Sequence, residues 1–264
     1  MNAIMAVDYG SFIPPILILT IVCIVGRGHF ANEVTPELLS QGLTIVLPGI
    51  EGRSRANSNI AVGLRQGGVK GAVEVVNWTT GCFLLFLYHL RRGKRNHRQA
   101  AAIADRIVQY QSDFPERPVH LVGHSGGGGM IGLILQKLPV EHSVTTATLI
   151  APAMSPGFPM HALTEKTTGG VWHHYSLLDI PLLIIGTTVA GTFDGRHMPA
   201  AGAFGFRKKH PDLHEIGYQF RMLKDWHPGG HFGCTDPVFI RRWIAPVLVN
   251  NGQCDVESLP VSAS

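Results

Sequence analysis

A chain of 264 residues, 45% hydrophobic and 15% charged, has the composition of a globular protein with one sizeable core, and α/β folds of this length are commonly a single domain. Lys and Arg total 22 against 18 Asp and Glu, a formal charge of +4. The basic residues run together only at Arg91-Arg92-Gly93-Lys94-Arg95 and Arg207-Lys208-Lys209, with no aromatic residues between them, a pattern that argues against a nucleic-acid partner.

Phe12 to Val25 is a nearly continuous apolar run, broken by Pro14-Pro15 and followed by Gly26-Arg27. It falls short of the roughly 20 apolar residues that cross a bilayer as a helix. It reads better as the apolar part of an export signal or as a membrane-anchoring segment. Asp8 ahead of the run, the lack of a preceding Lys or Arg, and the poor cleavage site His29-Phe30-Ala31 depart from the export pattern. A buried first strand is the other reading. Residues 1–34 are therefore set apart as a leader or anchor, and the folded domain is expected over 35–264. An exported or membrane-associated protein follows if the segment acts in this way, and a cytoplasmic one otherwise.

Leu43 to Leu47 reads as a buried parallel strand, apolar and β-branched, ended by Pro48-Gly49. A short helix over Asn57 to Leu64 is stopped by Gly67-Gly68. Val69 to Trp78 is a second strand, and the loop after it carries Trp78, Phe83 and Phe86, which serve the core or an acyl pocket. Arg92 to Ser112 is a long amphipathic helix, with Ala102, Ile103, Ile107, Val108 and Tyr110 against Arg95, Arg98, Asp105, Arg106 and Gln109. Val119 to Val122 is the next strand, Met130 to Leu138 the helix after it, and Val144 to Ile150 a further strand. The alternation implies a parallel sheet with right-handed crossovers. Met154 to Asp179 reads as an excursion, a small lid or pocket edge. Pro181 to Thr188 is the most strand-like run in the chain. Ile216 to Leu223 reads as a last strand, and Pro237 to Val249 as a closing helix capped by Thr235 and Asp236.

The run His120-Leu121-Val122-Gly123-His124-Ser125-Gly126-Gly127-Gly128-Gly129 carries Gly-x-Ser-x-Gly between a buried strand and a helix. That context suits a serine held out on a sharp, strained turn, with Gly123 and Gly127 leaving room where the chain closes on itself. A phosphate-binding turn is the alternative, but the run lacks the Lys-Ser/Thr ending of a P-loop. The motif, its place after a buried strand and the order Ser…Asp…His resemble the α/β-hydrolase fold on its lipase and esterase side, from about Leu43 to Leu248.

That resemblance implies a mostly parallel sheet flanked by helices, with a small lid or none, and a nucleophile–base–acid triad. Ser125 takes the place of the nucleophile. His231, between glycines in Pro228-Gly229-Gly230-His231-Phe232-Gly233, takes the place of the base, with His227 as its rival. Asp194, beyond the expected strand Pro181 to Thr188, takes the place of the acid. Asp179 would then lie at the wrong end of that strand, and Asp225 and Asp236 are weaker rivals. The resemblance places the oxyanion donors at the amides of Gly126 and Ile50, with Glu51 as runner-up and its side chain turned away toward Arg53 or Arg55. His124 and His197 flank the site. The chemistry implied is ester hydrolysis through an acyl-enzyme on Ser125, with an ester or lipid as substrate. An acyltransferase of the same fold and a non-catalytic binding protein are the alternatives.

No cofactor is implied. The cysteines Cys23, Cys82, Cys234 and Cys254 show no CxxC spacing, and the 14 histidines contain no His-Glu-x-x-His, so no metal is expected either. One disulfide among Cys82, Cys234 and Cys254 is compatible with the sequence. His173-His174 should point to opposite sides of an extended segment.

Overall fold

In the computed structural model the described residues are 32–80, 85–90, 93–256 and 259. The apolar run Phe12 to Val25, Cys23, Cys82, Phe83, Arg91 and Arg92 lie outside them, as does the side chain of Phe86. Among the described residues no helix is long and apolar enough to cross a membrane.

Among the described residues six parallel strands make one sheet in the order β2-β1-β3-β4-β5-β6. They are β1 (Leu43–Leu47), β2 (Ala72–Val75), β3 (Val119–His124), β4 (Thr146–Ile150), β5 (Val171–Tyr175) and β6 (Leu213–Gly217). Every residue of β1, β3 and β4 is buried, as expected for strands covered by helices on both faces. Each Leu, Ile or Val so enclosed contributes about 1.5 to 3 kcal/mol of transfer free energy. Ahead of β1, Asn32 accepts the Val75 amide at 3.0 Å and Glu33 bridges Val73.

Helix α1 (Arg55–Gln66) starts on Ser54, whose hydroxyl caps the Asn57 amide, and buries Ala56, Asn57, Ile60, Ala61 and Leu64 at one-turn spacing. The short helix α2 (Phe86–Leu90) turns His89 and Leu90 inward and leaves Leu87 and Tyr88 exposed. The long helix α3 (Lys94–Asp113) buries Ala100, Ile103, Ala104, Ile107 and Tyr110; of the face expected from the sequence Ile103, Ile107 and Tyr110 are buried, Val108 is half-buried and Ala102 is exposed. Helix α4 (Gly126–Leu135) begins directly after Ser125 and is buried throughout, so it leaves β3 without the intervening turn that a start at Met130 would need.

Two strand assignments are corrected. Pro181 to Thr188 is helical, a π-helical stretch over Ile180–Gly186 running into Thr187–Ala190. A short apolar run does not by itself distinguish a strand from a helix. Here the side chains buried are Leu183 and Thr187, one helical turn apart, while Ile180, Leu182, Ile185 and Val189 face solvent. The fifth strand is instead Val171–Tyr175, inside the segment expected to be a lid. Its Val-Trp-His-His-Tyr composition, bounded by Gly169-Gly170, is a β-branched and aromatic strand signal. His173 and His174 do point to opposite sides of it: His173 meets Glu215 at 3.1 Å, and His174 sits edge-on to Phe239.

The last strand, β6, ends at Gly217 and not at Leu223, and Phe220–Asp225 is a 3-10 turn. The closing helix is continuous from Pro237 to Val249 but widens to a π turn over Ile240–Ile244. Pro246 accounts for the widening, since its ring would collide with the carbonyl one turn back in a regular α-helix. Cys234 and Cys254 are free thiols.

Candidate active site

Ser125 sits at φ 53° and ψ −118°, a conformation that costs a non-glycine residue about 1 to 3 kcal/mol. Its backbone is fixed on three sides. The amide donates to Ile150 at 3.0 Å, and the carbonyl accepts from Gly128 and Ala153 at 3.1 Å each. The glycines around it are required sterically. A Cβ on Gly123 would lie 2.6 Å from the Gly127 carbonyl group, and one on Gly127 would collide with the carbonyl of Leu47. The elbow therefore packs β3, α4 and the end of β1 closer than side chains permit.

The Ser125 elbow faces the loop after β1. A Cβ on Gly126 would lie 3.4 Å from the Ile50 nitrogen, so these two amides are neighbours. Among the described residues neither amide donates a hydrogen bond. Gly126 opens a helix, where the first amides have no acceptor a turn back.

Glu51 departs from expectation. Its carboxylate turns back to accept from Asn57 Nδ2 at 2.9 Å and Ser54 Oγ at 3.3 Å, leaving Arg53 and Arg55 exposed to solvent. The reason is local. Ser54 and Asn57 form the first turn of α1, where amide and hydroxyl donors already point toward the loop. Burial pushes the Glu51 carboxyl above the usual range, against the opposing pull of the Asn57 hydrogen bond and of His231.

His231 is buried with its ring centroid 4.7 Å from that of His124, the residue before Ser125. His124 donates its Nε2–H to the His231 carbonyl at 3.0 Å, so the strand carrying the elbow also holds the histidine loop. Burial pushes the His124 imidazole down to about 3, which keeps it neutral and uncompetitive as a base.

The carboxylate that pairs with His231 is Asp179 and not Asp194. His231 Nδ1 donates to Asp179 Oδ2 at 2.5 Å, and both side chains are nearly inaccessible. Asp194 is committed elsewhere. Its carboxylate accepts from the Ser155 amide at 2.8 Å, the Ser155 hydroxyl at 2.5 Å and the Thr192 hydroxyl at 2.9 Å. This pairing differs from the expected one because the strand before it lies elsewhere. With β5 at Val171–Tyr175, Asp179 comes four residues beyond its carboxyl end, where open α/β sheets gather their sites. Burial alone would lower the His231 pKa, but the Asp179 charge and hydrogen bond, with Glu51 adding to them, outweigh it and raise the imidazole above its ordinary value.

The remaining candidates have other partners. His227 packs against Phe239 and Tyr218, accepts the Gly229 amide at 3.3 Å, and is pushed down to about 4 by burial. Asp225 holds Arg242 and the Trp243 indole, and Asp236 caps the Val238 amide. His197 is exposed beside the Thr188 and Val189 carbonyls. Among the described residues no three His, Cys, Asp or Glu groups gather to hold a metal ion.

A parallel sheet with a strained serine elbow after its central strand and an acid–histidine pair beyond its later strands has the arrangement of the α/β-hydrolase fold. No protein-family model matches the sequence, and no curated protein is detectably similar to it. Solved structures similar to this one include Aspergillus fumigatus lipase B, at 14% identity and TM-score 0.48, over 89% of this chain and 62% of that one. A Trichoderma reesei cutinase in complex with a phosphonate inhibitor matches at 10% identity and TM-score 0.40, covering 80% of this chain and 77% of the cutinase. The LpqC poly(3-hydroxybutyrate) depolymerase of Bordetella parapertussis matches at 14% identity and TM-score 0.43, over 83% of each chain.

Proposed function

We propose that this protein is a serine hydrolase that cleaves carboxylic esters through an acyl-enzyme on Ser125. The observation that carries the proposal is the buried Asp179–His231 pair set against a serine elbow whose two neighbouring amides are unused. In this reading His231 Nε2 takes the Ser125 proton as Oγ attacks the ester carbonyl. The amides of Ile50 and Gly126 receive the oxyanion, a contribution typically worth a factor of about 100 to 1,000 per donor. The imidazolium then returns the proton to the leaving alcohol, and water repeats the sequence to release the acid. Asp179 fixes the tautomer and stabilises the imidazolium without accepting its proton.

An apolar acyl group fits the surroundings. Leu177, Leu178 and Ile180 flank Asp179 in sequence, Leu223 and Trp226 precede His231, and all five are exposed. A fluorophosphonate should label folded protein at Ser125, which peptide mass mapping would locate. Absence of labelling would favour a non-catalytic binding protein.

The pH profile supplies an independent check. His231 acts only when neutral, and its pKa is raised, so kcat/KM on a p-nitrophenyl ester should fall as pH drops through a value above about 6.5, the ordinary imidazole pKa. An acid limb centred at or below 6 would contradict the charge pairing with Asp179.

A further inference from the structure

The loop that presents the Ile50 amide has nearly all its carbonyls occupied. The Trp78 indole donates to the Pro48 carbonyl at 2.7 Å, and the Gly52 amide donates to the Gly49 carbonyl at 3.1 Å. His89, reaching across from α2, meets the Ile50 carbonyl through Nδ1 at 2.9 Å. The Gly49–Ile50 peptide is thus bracketed on both sides, and its N–H is the group left to face the elbow.

The tautomer of His89 follows from its partners. The Thr80 amide donates to Nε2 at 3.1 Å, so that nitrogen carries the lone pair. Nδ1 must then carry the proton that the Ile50 carbonyl accepts. The ring is fully buried and edge-on to Trp78, with centroids 6.1 Å apart, and Asn96 holds the His89 carbonyl at 3.0 Å. Burial also lowers the imidazole pKa, which keeps the single Nδ1–H form in place at neutral pH.

We propose that His89 is a positioning residue for the oxyanion site: by donating Nδ1–H to the Ile50 carbonyl it anchors the Ile50–Glu51 peptide and so, through the Ile50 backbone torsions, the adjoining Gly49–Ile50 peptide whose N–H is aimed at the substrate oxygen. The proposal rests on the hydrolase reading of Ser125. It assigns to α2, the short helix with Leu87 and Tyr88 on its outer side, control of a donor that it does not itself contain.

The test compares wild type with His89→Ala and His89→Asn on a p-nitrophenyl ester, with active sites counted by fluorophosphonate titration. The amide of Asn can place an N–H close to the position of Nδ1. His89→Ala should lower kcat per titrated site about tenfold or more while KM stays within about threefold, and His89→Asn should recover most of the loss, consistent with a donor worth about 100 to 1,000 in full. Affinity for a trifluoromethyl ketone, which forms the tetrahedral adduct, should fall in parallel with kcat. If His89→Ala keeps kcat within about twofold of wild type, or if its loss appears only in KM or in the number of titratable sites, the positioning role is overturned while the hydrolase stands. A wild-type protein that neither titrates nor turns over ester overturns the hydrolase reading and this role with it.

Discussion

Ser125→Ala is expected to reduce ester turnover by about a millionfold, to the level that binding and the oxyanion amides sustain alone. The folded state should scarcely notice. The Ser125 hydroxyl makes no hydrogen bond among the described residues, so removing it strands no buried partner, and Ala meets the same φ of 53° that Ser does. Equilibrium urea unfolding of the variant should therefore agree with wild type to within about 0.5 kcal/mol, the range of substitutions that break no special feature. Ser125→Gly should be equally inactive and at least as stable, because glycine adopts that backbone conformation at no steric cost. This separates the chemical role of the side chain from the architectural role of the turn. A Ser125→Ala variant that still hydrolyses ester at more than a thousandth of the wild-type rate would place the nucleophile elsewhere.

The elbow was legible in the sequence because its constraint is local. Gly-x-Ser-x-Gly states, within a few residues, that the chain approaches itself too closely for a Cβ, and the structure shows those collisions at Gly123 and Gly127. The central strands were legible for a related reason: apart from Thr44 and His120, Leu43 to Leu47 and Val119 to Val122 are apolar because both faces of the sheet are covered. The pairing of His231 with Asp179 was not legible in the same way. Pro181 to Thr188 is more apolar than Val171 to Tyr175, and hydrophobicity alone favours it as the strand. What decides otherwise is tertiary. The sheet pairs Val171–Tyr175 between β4 and β6, where His173 finds Glu215 and Trp172 stacks on His214. The apolar run is left to wind as a helix with much of its surface exposed. His89 was beyond sequence reasoning altogether, since its role depends on a carbonyl 39 residues away.

The choice between the two aspartates gives the second large effect. Asp179→Asn should lower kcat by about ten-thousandfold, the scale seen when a triad carboxylate loses its charge but keeps its shape. An amide in that place can offer His231 either an oxygen or an N–H, so the imidazole is no longer held in the tautomer that leaves Nε2 free. The imidazolium formed during attack also loses its buried counter-charge. Because Asp179 is what lifts the His231 pKa against burial, the remaining activity should show its acid limb displaced to lower pH than in wild type. Asp194→Asn should behave in the opposite manner. Its carboxylate pins the Ser155 amide and hydroxyl behind the elbow, and an amide cannot accept all the bonds that Ser155 and Thr192 donate. Stability should drop by about 1 to 3 kcal/mol while kcat per folded molecule stays within about threefold. Measuring the two variants together, each for turnover and for unfolding, makes the outcomes cross: one loses chemistry and keeps its fold, the other loses stability and keeps its chemistry. If the crossing ran the other way, the hydrogen bond between His231 and Asp179 would be a structural contact and the acid would have to be sought at Asp194.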